Sequence, residues 1–138
     1  MSRWISLDYG EKRIGVATTD SLKMFVAPFA TIKNKSDEYV FEELLKIIKL
    51  QKADRIIIGL PLNVDGEDTI KTGEVRAFYE KLSKITNLPI FWCDERYSTC
   101  EANDFLKQKG LSWKKSKGEV DQIAAAVILK TYLDTHKR

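Results

Sequence analysis

Histidine is nearly missing from this chain, and its one copy, His136, stands among the last three residues, where chains usually fray. Mechanisms built on a buried imidazole therefore have no candidate, which disfavours Ser-His-Asp triads, Cys-His proteases and histidine-bound zinc. Cysteine is scarce as well. Cys93 and Cys100 are too few for a disulfide framework or a four-thiolate zinc site, and free cytosolic thiols are expected. Long apolar runs are missing too: the longest ends at Leu129 and falls far short of the roughly 20 residues that cross a bilayer. Asp8 interrupts the N-terminal apolar stretch, so neither membrane insertion nor a signal peptide is expected, and the expected localisation is cytoplasmic. Neither sign of charge dominates. With 23 Lys+Arg against 20 Asp+Glu the net charge is +3, so only local clustering can mark a polyanion site.

What the chain does contain is 138 residues, 43% apolar and 31% charged, the makeup of one globular domain spanning 1–138. Any catalysis must come from carboxylates, lysines, hydroxyls, a thiol or a hard metal ion. Arg3 to Tyr9 alternates, with Ile5 and Leu7 on one side and Trp4, Ser6 and Asp8 on the other, which predicts a strand ending near Asp8. A polar turn with Gly10 leads into Ile14 to Thr18, so the first two strands form a hairpin. Phe25 to Ile32 makes a third strand, and Pro28 assigns it to an edge.

Ser36 then offers an N-cap to a helix carrying Val40, Phe41, Leu44, Leu45 and Ile48. The β-branched run Arg55 to Leu60 reads as a buried parallel strand. A second helix carries Val75, Phe78, Tyr79 and Leu82, and a fifth strand runs from Ile90 to Cys93. Ser98 and Glu101 have the form of a capping box before a third helix with Ala102, Phe105 and Leu106. Gly110 to Gly118 reads as a loop, and the last helix presents Val120, Ile123, Ala124, Val127 and Ile128 on one stripe. The order βββ-α-β-α-β-α-α predicts an α/β fold, a mixed sheet with helices on its faces.

In such a sheet, sites form at the carboxyl ends of the strands. Asp8 ends the first strand, Asp94 and Glu95 follow the fifth, and Asp121 lies in the first turn of the last helix, bordering its apolar stripe. Carboxylates crowded together repel unless a proton or a cation lies between them. A hard divalent ion, Mg²⁺ or Mn²⁺, resolves that conflict with oxygen ligands, and paired ions cut phosphodiesters without any histidine. Each acid also has an ordinary use: Asp8 as a turn former, Glu95 as a partner for Arg96, Asp121 as a helix N-terminal charge.

Lys12, Arg13 and Arg96 flank these acids and can hold a phosphate, or simply decorate exposed turns. Lys114, Lys115 and Lys117 around Trp113, with Lys107 and Lys109 nearby, read as a stripe for a nucleic-acid backbone with a base-stacking ring. A solvated loop with a tucked Trp113 is the alternative. Asn63 can orient substrate or serve as a turn residue, and Gly15 inside a strand permits a close backbone approach or reflects packing.

Leu7-Asp8-Tyr9-Gly10-Glu11-Lys12-Arg13-Ile14-Gly15-Val16-Ala17, Gly59-Leu60-Pro61-Leu62-Asn63-Val64-Asp65-Gly66, Asp94-Glu95-Arg96-Tyr97-Ser98-Thr99 and Val120-Asp121-Gln122-Ile123-Ala124-Ala125-Ala126 together resemble the YqgF/RuvX family, in the family's order and over nearly the whole chain. The resemblance implies a ribonuclease H-like fold with a five-stranded mixed sheet. It also implies a metal-dependent nuclease, a hydrolase that matures the 5′ end of pre-16S ribosomal RNA or, alternatively, resolves Holliday junctions in branched DNA. It places metal-binding carboxylates at Asp8, Glu95 and Asp121. Resolvases of the RuvC type carry an acid at the end of the fourth strand, whereas this strand ends in Gly59-Leu60-Pro61.

Two other classes compete. Asp8-Tyr9-Gly10 before Ile14-Gly15-Val16 also resembles the phosphate loop of actin-like ATPases, which enclose ATP between two domains where this chain offers one. A catalytically silent nucleic-acid-binding or ribosome-assembly module is the other. Monomer and homodimer both stay open, since a junction needs paired cuts by a two-fold dimer and an RNA end needs one site.

Overall fold

Alternation along the strands sorts their side chains between two cores, one on each face of a sheet. The structure, a computed structural model, describes residues 2–94 and 117–135. Its strands are β1 (Arg3–Asp8), β2 (Arg13–Thr19), β3 (Val26–Lys33), β4 (Ala53–Leu60) and β5 (Ile90–Asp94). Its helices are α1 (Asp37–Gln51), α2 (Ile70–Ile85) and α3 (Lys117–Thr135). The helix expected around 98–106 lies outside the described residues.

The five strands form one mixed sheet in the order β3-β2-β1-β4-β5. β1 and β2 pair antiparallel, as do β2 and β3, whereas β4 runs parallel to both β1 and β5. Pro28 does stand on an edge strand, where the ladder shifts between Val16 opposite Ala30 and Ala17 opposite Pro28. A residue without an N–H is tolerated at such a place.

Ile5, Leu7, Ile14, Val16, Ile56 and Ile58 point to one face, where they meet Val40 and Leu44 of α1 and Val75, Phe78 and Leu82 of α2. Each such side chain, fully buried, contributes about 1.5–3 kcal/mol. The intervening residues Ala17, Ile57 and Cys93 face the other way, under Ile123, Ala125, Ala126, Leu129 and Tyr132 of α3. Helices thus cover both faces, and Cys93 is a core residue.

The caps are local. Ser36 Oγ accepts from the Tyr39 N–H at 3.1 Å to start α1. Thr69 and Thr72 form a reciprocal capping box at the start of α2, and the Thr72 hydroxyl also donates to the Pro61 carbonyl. That second pair has no Glu or Gln at its third position, so the usual sequence signature is missing. The last helix begins earlier than expected. Lys117 and Gly118, read as loop, belong to the first turn of α3, because nothing in Lys117-Gly118-Glu119 interrupts helical hydrogen bonding before the apolar stripe begins.

Polar contacts tie α3 to the sheet at two places. Toward its C-terminus the Arg55 guanidinium lies 4.2 Å from the Trp4 ring and 4.5 Å from the Phe91 ring, and donates to the Tyr132 hydroxyl at 2.9 Å. Near its middle the Ser6 hydroxyl, fully buried on β1, donates to the Ala125 carbonyl at 2.6 Å. Small residues on both surfaces let the helix approach this closely.

Candidate active site

Because β1, β4 and β5 are parallel, their carboxyl ends share one edge, and the β1–β2 turn and the β4–α2 loop leave from it. Asp8 is the last residue of β1 and is half-buried. Its register partner on β2 is Gly15, which places the two Cα atoms about 5 Å apart. Gly15 in turn lies directly beneath α3. A Cβ added there would collide with the backbone carbonyl of Asp121 and with the N–H of Gln122. A helix backbone can rest on a strand this way only where the strand carries no side chain. Asp8, Gly15 and Asp121, taken from three elements, therefore meet at one point of the edge.

Arg13 completes the group. It opens β2 on the same side, and its Nε donates to Asp121 Oδ2 at 2.7 Å, with the two side chains 31% and 24% exposed. The neighbouring Gln122 amide donates to Thr31 Oγ1 at 3.0 Å, which ties the same helical turn to β3. The turn from Tyr9 to Lys12 is braced from below: the Asn34 side chain donates to the Gly10 carbonyl at 2.9 Å, and its backbone N–H donates to the Lys12 carbonyl at 2.9 Å. Lys12 itself is exposed at the tip.

The β4–α2 loop is equally well built. The Asn63 side-chain oxygen accepts from the backbone N–H groups of Asp65 at 3.0 Å and Glu67 at 2.9 Å, and Gly66 takes a φ of 83°. Such an Asx arrangement makes Asn63 the organiser of the turn. Its oxygen is spent there, which leaves only the amide N–H groups for any substrate. Arg76 closes the loop's far end with two bonds to Asp68, 2.8 and 3.0 Å long, and holds that carboxyl below the usual range.

Of the residues expected at the site, the structure brings together Asp8, Arg13 and Asp121, leaves Lys12 exposed in the adjoining turn, and puts Asn63 on a neighbouring loop of the same edge. Lys117 sits in the first turn of α3. Glu95, Arg96, Trp113, Lys114 and Lys115 lie outside the described residues. Asp94 ends β5, and the strand's alternation assigns it to the face of α1 and α2: Ile90 and Trp92 pack into that core, whereas Cys93 packs under α3. Asp8 shares the α3 face with Ser6 and Trp4. Sequence reasoning missed Ser6, Asn34 and Gln122 as residues that hold the site in place. The only hint was Ser6, a polar residue within a strand that otherwise buries apolar side chains; Asn34, just past β3, and Gln122, on α3, carried no such signal.

A mixed five-stranded sheet of this topology, with Asp8 and Asp121 at its carboxyl edge, is the ribonuclease H-like fold. The chain superposes on Thermus thermophilus RuvC bound to a Holliday junction with a TM-score of 0.61, at 11% identity over 99% of this chain and 97% of that one. It also superposes on the fowlpox virus resolvase in complex with junction DNA, with a TM-score of 0.58 at 14% identity over 99% of each chain. Residues 2–135 match the RuvX family, described as Holliday junction resolvase, and the chain belongs to that family. A relative from Maridesulfovibrio salexigens is 43% identical over 94% of this chain and 96% of its own length, and one from Endomicrobium trichonymphae is 39% identical over 97% and 96%. Both carry the name "Putative pre-16S rRNA nuclease". Among the described residues, no helix is long and apolar enough to cross a membrane.

Proposed function

We propose that this chain is a divalent-metal-dependent nuclease that hydrolyses phosphodiester bonds and matures the 5′ end of pre-16S rRNA in the cytoplasm. The observation that carries the reading is the meeting of Asp8 and Asp121 across Gly15, with a guanidinium beside them. Carboxylate oxygens suit a hard ion, Mg²⁺ or Mn²⁺. Among the described residues no three acidic, histidine or cysteine side chains cluster as ligands, so the two aspartates need a third carboxylate. Glu95 is our choice, because the alternation of β5 turns Asp94 to the opposite face. When bound at Asp8, Glu95 and Asp121, the metal supplies an activated water and stabilises the leaving oxygen.

The remaining work falls to the chain's own side chains. Docking of α3 through Ser6, Gly15 and Gln122 holds the Asp121 carboxylate at a fixed place relative to Asp8. Lys12, Arg13 and Arg96 take the phosphate oxygens through charge-assisted hydrogen bonds. Asn63 shapes the loop beside them. Lys114, Lys115 and Lys117 follow the backbone away from the cut, with Trp113 stacking on a base.

One observation favours RNA over a branched DNA substrate. The relatives at 39–43% identity, matched along nearly their whole length, are named for pre-16S rRNA, while the resolvases share the fold at 11–14% identity. The test is side-by-side cleavage of a 5′-extended 16S precursor and a synthetic four-way junction, with and without Mg²⁺ or Mn²⁺. Metal-dependent shortening of the RNA 5′ end is expected. Paired, symmetric cuts in the junction with the RNA left intact would move the function to resolution.

A further inference from the structure

The contact between Arg13 and Asp121 joins two residues that the proposed function uses separately, one for phosphate and one for metal. We propose that Arg13 is an exchangeable counter-ion: it occupies Asp121 in the metal-free protein, gives the carboxylate up when the divalent ion arrives, and so becomes free to take the phosphate. The inference rests on the nuclease reading above and adds a positioning role and an order of events to it.

Three observations carry it. The first is the form of the contact. Only Nε reaches Asp121, at 2.7 Å to Oδ2, so the guanidinium is not locked in the two-point fork that makes Arg–carboxylate pairs rigid. The second is exposure. With the side chains 31% and 24% exposed, solvent reaches both groups, and parting them strands no buried charge. The third is the difference in freedom of the partners. The Asp121 backbone rests on Gly15, and the next residue is tied to Thr31, so the carboxylate stays while the long arginine stem can move.

The electrostatics set the direction. Without metal, the guanidinium offsets the repulsion between Asp121 and the acids brought near it. A divalent cation seeking the same carboxylate meets the arginine charge at close range, so Arg13 lowers metal affinity. Release from Asp121 would leave the Arg13 guanidinium free to donate to a phosphate oxygen at the same edge of the sheet. Metal loading and phosphate capture are thereby coupled through one side chain.

The test is Mn²⁺ binding to the full-length protein without nucleic acid, followed by calorimetry, for the wild type, Arg13→Gln, Arg13→Lys, Asp121→Asn and the Arg13→Gln/Asp121→Asn double variant. Arg13→Gln is expected to bind Mn²⁺ about tenfold more tightly than wild type, since it removes a like charge. Arg13→Lys should stay near wild type, and the gain should vanish in the Asp121→Asn background, as a direct coupling requires. Unchanged or weaker Mn²⁺ binding by Arg13→Gln would overturn the exchange and leave Arg13 as a fixed support of Asp121. If Asp121→Asn itself leaves Mn²⁺ affinity intact, the metal site of the proposed function fails instead. A second measurement needs no variant: the Arg13 Nε–H signal in the NMR spectrum of the wild type should lose its protection from solvent exchange as Mg²⁺ is added. A protected signal at saturating Mg²⁺ would contradict the proposal.

Discussion

Gly15 on β2 and Asp121 on α3, 106 positions apart in sequence, touch backbone to backbone, and no side chain fits between them. That contact sets the height of α3 above the sheet and with it the distance from Asp121 to Asp8, the register partner of Gly15. Gly15→Ala should therefore do two things at once. It should destabilise the protein by about 1–3 kcal/mol, the range for overpacking a filled core, and it should weaken Mn²⁺ binding by lifting Asp121. Urea denaturation and calorimetry on the same preparation check both. Wild-type values for either would mean that the helix has room to yield.

A titration at the other end of the sheet gives an independent check. Asp20 Oδ1 accepts from the backbone N–H groups of Met24 and Phe25, each at 2.8 Å. These bonds, the one from Phe25 foremost, hold its carboxyl below the ordinary value. A depressed folded-state pKa means stability that is fully present above the unfolded value of about 3.9 and lost as pH falls through the folded one. Asp20→Asn should thus be less stable than wild type at pH 6, with the difference smaller at pH 3, below the unfolded value. Urea midpoints at the two pH values read it. A difference that is constant with pH would place the Asp20 contribution outside its charge.

Much of this architecture was legible in the chain because its cause is local. Period-two alternation in β1 separates Ile5 and Leu7 from Ser6 and Asp8, and the structure puts those sets on opposite faces. The unbroken run Ile56-Ile57-Ile58 identified a strand buried on both sides, and Pro28 identified an edge. Asp8 was legible as an acid at a strand's end and Asp121 as one bordering the apolar stripe of the last helix, though that helix starts at Lys117 and so puts Asp121 beyond the first turn expected for it. What could not be read was which groups meet across long separations. Arg13 read as a phosphate ligand or as one more cation in a polar turn, but not as the partner of an acid 108 positions away. Gly15 admitted two readings until the helix above it was placed. Asn63 admitted a substrate role or a turn role, and its oxygen is bound within its own turn, a choice that depends on the local backbone angles.

Nucleic-acid affinity has its own signature. Replacing Lys114, Lys115 and Lys117 together by alanine should weaken RNA binding across sequences and flatten its salt dependence, because each phosphate left without its lysine takes away roughly one unit of the logarithmic slope. Mn²⁺ binding should not change. Binding isotherms from low to moderate salt decide the matter, and equal slopes for variant and parent would mean that these lysines touch no phosphate.

The central claim is that Asp8 and Asp121 form a metal-dependent hydrolytic centre, and Asp8→Asn tests it most directly. The change is nearly isosteric and falls on a half-buried residue at a strand end, so the fold and melting behaviour should persist. We predict that the folded variant binds Mn²⁺ at least about tenfold more weakly, the lower bound for losing a support of a metal site, and no longer shortens the 16S precursor. A well-folded Asp8→Asn protein that cleaves the precursor at the wild-type rate would contradict the account.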